Sequence, residues 1–180
     1  AHGDIDVQLS TQIAGADPMR PGWHAAIRLG DGRWPGLKAD FLFTADLFPV
    51  AAPGLAALLK SPEDLVQATL LDAASAKGDW PLWLKAAGLV ERVTLGRATT
   101  FDYPAFALQA AIDGFGLTRV LSYQAAPSLA SGALRTVLSD YEEHPLPVHI
   151  VHPEGRHAPA KVRTFIDFAA GRLRADRRIN

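Results

Sequence analysis

The chain has 180 residues, 48% of them hydrophobic and 21% charged, with a formal net charge of −1 and no cysteine. That length suits one sizeable domain or two small lobes, and the balanced charge lacks the basic footprint of a nucleic-acid surface. The missing cysteine excludes disulfide and thiol chemistry, and no apolar run approaches the roughly 20 residues that a membrane span needs.

In chain order, Ile5–Ser10 alternates apolar and polar residues, the period-2 pattern of a half-buried strand, with Ser10 and Thr11 at its carboxyl end. Gln12–Met19 reads as a short helix weakened by Gly15 and Pro18. Trp23–Leu29 is the next strand, and Gly30–Gly36 is a loop rich in glycine and proline. Phe41–Val50 is a long extended run, followed by helical Ala52–Leu59. Ser61-Pro62-Glu63-Asp64 is a cap-and-start signal for another helix. Thr69–Asp72 reads as a buried strand, Trp80–Ala87 as a helix stopped by Gly88, and Val93–Thr100 as a strand. Leu146–His152 is a second long extended run. Ala158–Arg174 is an amphipathic helix with Val162, Phe165, Ile166 and Ala169 at helical spacing. The arginines of Arg172–Arg178 read as a solvated helix end.

The stretch 104–138 carries the densest signal. Pro104 stands where a first helical residue would, since it has no N–H to lose there. Phe106, Leu108, Ala110, Ala111 and Ile112 give an apolar face, and Gly114 is placed for a left-handed cap. Thr118–Ser122 reads as a short strand, and Ala125–Ala130 as a helical segment ended by Gly132. Strands alternating with helices argue for an α/β fold with largely parallel sheets. The two long extended runs, near positions 47 and 147, bracket about 100 residues, as a hinged two-lobe fold requires.

Three blocks carry a family resemblance. Ala111-Ile112-Asp113-Gly114-Phe115-Gly116 and Ser131-Gly132-Ala133-Leu134 resemble the A-x-x-G-x-G turn and the small-residue-Gly-x-L signature of LysR-type transcription regulators. His24–Leu37, HAAIRLGDGRWPGL, is similar to the glycine-cleavage-activator branch of that family. Asp140–Phe168 resembles the family's return crossover strand and last helix. The resemblance implies a two-lobe, periplasmic-binding-protein-like (type 2) fold. Lobe I would be residues 1–46 and 147–180, and lobe II residues 47–146. It implies an effector-sensing domain, with no enzymatic activity and no cofactor, in a cytoplasmic regulator. The partners would be a small-molecule effector and a second copy, as homodimer or tetramer, without membrane association. Promoter DNA would be met only through a winged helix-turn-helix domain that this chain lacks. That domain, its linker helix and the effector domain's first strand and helix would lie upstream: either the chain is an excised fragment or its numbering begins inside a longer protein, and as a whole polypeptide its first lobe would lack a strand–helix unit. The rival reading is a solute-binding protein of a transport system with the same fold.

The candidate site residues follow from both arguments. Ser10 and Thr11 stand where a strand ends and a helix should begin, so a hydroxyl there either caps the helix or joins backbone N–H groups in holding a carboxylate. By resemblance, Thr11 falls on the family's effector-contacting Ser/Thr. Arg28 pairs either with an anionic effector or with Asp31 or Asp40. Phe101 and Asp102 match the family's second-lobe strand that faces the ligand. Asp72 also falls at a predicted strand end, where ligand crevices of parallel sheets form, yet no nucleophile or base beside it argues for catalysis. His149 and His152, three apart on a strand, point to opposite faces and do not chelate a metal; His144 and His157 lie nearby. Trp34 is left open between a surface contact and a cover for the first lobe.

Overall fold

The computed structural model describes residues 6–10, 22–74, 79–141, 144–154 and 159–176. These residues form seven strands and five α-helices: β1 (Ala26–Leu29), β2 (Leu37–Ala51), α1 (Pro53–Ala56), β3 (Leu70–Ala73), α2 (Asp79–Ala86), β4 (Ala98–Phe101), α3 (Pro104–Ile112), β5 (Leu117–Leu121), α4 (Ser122–Ser131), β6 (Arg135–Thr136), β7 (His144–Pro153) and α5 (Ala160–Ala175). The strand order is β1-β7-β2-β5-β3-β4, with β6 paired to β2. The chain divides into two compact units, residues 1–44 with 146–180 and residues 45–145.

The second unit is a sheet covered on both faces. Neighbouring residues of its strands point in opposite directions. Ala51, Leu70 and Leu117 join Leu65, Trp80, Trp83 and Leu84 in one apolar cluster. Val50, Leu71 and Val120 join Ala107, Ala111 and Ala125 in another. Helix α2 therefore packs on one face, and α3 and α4 pack on the other. In the first unit, Val162, Ile166 and Ala170 recur every four residues as the buried stripe of α5, and Val148 and Ile150 of β7 are buried too.

Local signals act as their chemistry requires. Pro104 is the first residue of α3, and Gly132 closes α4 in the left-handed conformation at φ +78°. Before the 3-10 turn Pro62–Val66, the backbone N–H groups of Lys60 and Ser61 both donate to Asp64 Oδ2 at 2.8 Å.

Three expectations are corrected. Asp6–Ser10 forms no strand and is exposed, with Leu9 at 86%. An alternating pattern becomes a strand only beside a partner, and among the described residues none pairs with it. The strand expected over Val93–Thr100 begins only at Ala98. Gly96 passes so near the carbonyl oxygens of Leu65, Val66 and Ala68 that a Cβ would lie within 2.9 Å of each. Pairing is also more mixed than alternation suggests. β3 is parallel to β4 and β5, whereas β2 runs antiparallel to β5 and β6, and β1 runs antiparallel to β7. Periodicity identifies strands, but connections set their direction. Only those joined through crossover helices return parallel. The predicted helix Gln12–Met19 lies outside the described residues.

A tight approach yields a test. A Cβ on Gly116 would collide with the Thr69 carbonyl oxygen and lie 2.9 Å from Leu71 Cγ. Gly116→Ala is expected to cost about 1–3 kcal/mol through overpacking. Gly171→Ala, in α5 with nothing within 4 Å of the new methyl group, is expected to gain about 0.5–1 kcal/mol. Thermal unfolding followed by circular dichroism compares the two.

Candidate functional site

In the second unit, β3, β4 and β5 run parallel and end together. Asp72 lies opposite Thr100, and Ala73 opposite Phe101. Strand β2 runs the other way, with Leu47 opposite Leu121, so the preceding Asp46 reaches the same edge. There the Asp46 N–H donates to Ser122 Oγ at 3.2 Å. Helices α3 and α4 both start at this edge, at Pro104 and Ser122. Asp46 and Asp102 therefore stand at this edge next to the starts of α4 and α3, while Asp72, two residues on from Leu70, shares the face that packs towards α2. Behind them, the buried Thr118 hydroxyl donates to the Leu71 carbonyl oxygen at 2.9 Å and ties β5 to β3. Exposed helical N–H groups receive anions, and carboxylates accept from ammonium or hydroxyl groups. An edge holding both suits a small molecule that carries an acid and a hydrogen-bond donor.

Phe101 and Asp102 sit on this edge. Phe101 is the half-buried last residue of β4 and packs against the cluster around Val120, while Asp102 is exposed. Asp46 and Ser122 are additions that the sequence did not single out.

The first-unit candidates stand separately. Ser10 is exposed, at the end of a segment that is not a strand, so its expected strand-end position is lost. Thr11 lies outside the described residues. Arg28 is half-buried in β1, opposite His149 of β7. Of the two acids offered as its alternative partners, Asp31 binds Arg33 and Asp40 meets His152. The Arg33 backbone N–H, and then its guanidinium, hold the Asp31 carboxyl below its ordinary range. His149 is 9% exposed, with Trp34 and Phe41 edge-on to its ring at 5.6 and 5.7 Å. A Cβ on Gly32 would lie 2.9 Å from its Nε2. The sequence left Trp34 open; its ring packs against His149 within the first unit. Only Gly32, in the G-x-W-P-G run, hinted at so close an approach.

A depression of about 560 Å³ in the second unit is lined by Thr69, Leu71, Phe101, Phe106 and Phe115, among others. It lies towards the start of β3 and the end of α3, and it shares only Phe101 with the candidate edge. Among the described residues no group of three or more His, Cys, Asp or Glu side chains could hold a metal ion, and no helix is long and apolar enough to cross a membrane.

The family model for the LysR substrate binding domain matches residues 1–174. The HTH-type transcriptional activator AmpR of Pseudomonas aeruginosa is 41% identical over 134 residues, which cover 74% of this chain and 45% of that protein. The glycine cleavage system transcriptional activator of Escherichia coli is 33% identical over 143 residues, covering 78% of this chain and 46% of that protein. The chain thus spans about half the length of the curated relatives it matches. Among solved structures, the effector domain of P. aeruginosa AmpR has a TM-score of 0.78 at 34% identity, covering 96% of this chain and 85% of that one. The Citrobacter freundii AmpR effector binding domain, at 24% identity and a TM-score of 0.80 over 95% of this chain and 84% of that one, supports the fold. These relatives are named as transcriptional regulators, which favours that reading over transport or catalysis.

The second-unit edge can be probed through Ser122. Ser122→Ala removes the acceptor of the half-buried Asp46 N–H. The expected loss is about 0.5–1.5 kcal/mol, the net value of one hydrogen bond, measured by urea unfolding.

Proposed function

This chain belongs to the LysR substrate-binding domain family, and on that premise we propose that it is the effector-sensing domain of a LysR-type transcription regulator. The observation that carries this reading is the family match over residues 1–174, joined by the likeness to the AmpR effector domain. The two compact units are taken as the two lobes of that domain. A separate winged helix-turn-helix domain would make the contacts with promoter DNA, in the cytoplasm. The sensing domain itself performs no catalysis.

The effector is a small molecule carrying an acid and a donor, such as an amino acid or hydroxy acid. In the first unit its contacts are Ser10, Thr11 and Arg28, and in the second Phe101 and Asp102. The acid is assigned to the hydroxyls and the guanidinium, and the donor to Asp102. The carboxylates beside two helix starts in the second unit support a ligand with both groups. Such a ligand shifts the regulator between conformations only to the extent that it binds them unequally.

The working unit is taken to be a dimer, since isologous pairs are the commonest closed assemblies. Phe106 and Phe115, 59% and 72% exposed at the two ends of the α3 segment, are apolar groups suited to such a contact.

Two measurements test this. Calorimetry against a panel of amino acids and hydroxy acids, on the full-length regulator, should identify a ligand. Thr11→Val keeps the shape and removes the hydroxyl, so affinity should fall by about 1.5–3 kcal/mol if it bonds a carboxylate. Unchanged affinity with the fold intact removes Thr11 from the site. Light scattering at high micromolar concentration should show a dimer that Phe115→Glu weakens. A wild-type species of 19.3 kDa alone counts against association through this domain.

A further inference from the structure

Among the described residues Leu138 is the one non-glycine with a positive φ, at +56°. In that left-handed region the Cβ of an L-residue crowds its own backbone, and a bulky side chain is seldom found there. A glycine or an asparagine would make the same turn with less strain. Packing holds the leucine in place: its half-buried side chain lies against the apolar cluster that contains Trp80 and Trp83. The turn closes three residues on, where the Tyr141 N–H donates to the Leu138 carbonyl oxygen at 3.1 Å. Just before it, the Val137 N–H donates to the Pro49 carbonyl oxygen of β2, also at 3.1 Å. The Tyr141 ring then meets Trp83 of α2 edge-on, with ring centres 6.4 Å apart, inside the range of a favourable aromatic pair.

The place of this turn gives its strain a use. Residues 138–141 lie between β6 and β7, and β7 carries the chain back from the second unit into the first. A closed turn keeps its first and last Cα atoms within about 7 Å, whereas the same three steps extended span about 10 Å. Opening the turn therefore adds slack to the return connection and leaves the sheet and α2 as they are. Backbone strain favours opening; the Tyr141–Trp83 pair and the packing of Leu138 oppose it. The cost of one left-handed residue and the gain from one aromatic pair are of the same order, so strain narrows the margin by which contacts hold the turn shut.

We propose that Leu138–Tyr141 is a strained strap on the return connection, opening by itself before the second unit unfolds. In the open form Leu138 leaves the left-handed region and Tyr141 leaves Trp83. Such a segment is a local two-state element, the kind of part on which conformational switching draws.

The test is hydrogen exchange of the full chain, followed amide by amide as urea is raised from zero to concentrations well below unfolding. The amides of Val137 and Tyr141 report the strap. The amide of the fully buried Leu117, bonded to the Thr69 carbonyl oxygen at 3.0 Å, reports the core. Val137 and Tyr141 should exchange faster than Leu117, at rates that urea barely changes, since opening one turn exposes little surface. Exchange at Leu117 should climb steeply with urea. Leu138→Ala and Leu138→Gly both remove the side chain, but only glycine removes the strain. Val137 and Tyr141 should therefore exchange about fivefold more slowly in Leu138→Gly than in Leu138→Ala. Equal urea dependence at Val137, Tyr141 and Leu117 would mean that the turn opens only with the whole unit, and would overturn the strap. Equal rates in the two variants would overturn it too, because opening would then release no strain. If either variant fails to fold, the urea dependence of the wild type decides alone.

Discussion

One strand constrains everything else. β2 runs for 15 residues, and the boundary between the two compact units falls within it, at Thr44–Ala45. Its later part supplies the antiparallel partner of β5 and β6. A slip of one residue would exchange Val50 and Ala51 between the two apolar clusters of the second unit. The strand ends at Ala51, two residues before Pro53, which starts α1 and cannot donate a ladder hydrogen bond. The later part of this strand, Phe41–Val50, was visible in the sequence as an unbroken extended run, while its start at Leu37 was not. Its pairing with β5 and β6 was not, because those partners are distant in the chain.

The same distinction separates what was legible from what was not. Pro104, Gly114 and Gly132 act within a few residues of themselves, so their roles could be read directly: a helix start and two left-handed turns, at φ +84° and +78° for the glycines. The strand expected at Ile5–Ser10 failed because alternation is a local property and strand formation is not. Gly96 interrupts an apolar run for a reason lying in the turn Pro62–Val66, whose carbonyl oxygens it nearly touches. The candidate edge shows the same split. Phe101 and Asp102 were found as a strand end followed by a helix start. Asp46 joins them only through a bond to Ser122, 76 residues away. Thr11 rests on resemblance alone.

The edge and the depression in the second unit suit different kinds of contact. A site for a small polar molecule needs a few convergent polar groups that fix its orientation. The edge has them, in Asp46, Asp102 and the starts of two helices. The depression is lined mainly by apolar side chains, and two of its polar groups, Gln109 and Asp113, already bond to each other at 2.9 Å. Little there is left to orient a metabolite. Its floor is also held firmly, because Gly116 packs against the Thr69 backbone beside Leu71. A rigid, open, apolar hollow flanked by the exposed rings of Phe106 and Phe115 fits a protein surface better than a small ligand. That hollow is therefore a poorer match to a small polar effector than the strand-end edge. At the strand ends the backbone N–H groups of helix starts and the carboxylates of strand ends meet as a consequence of parallel pairing itself.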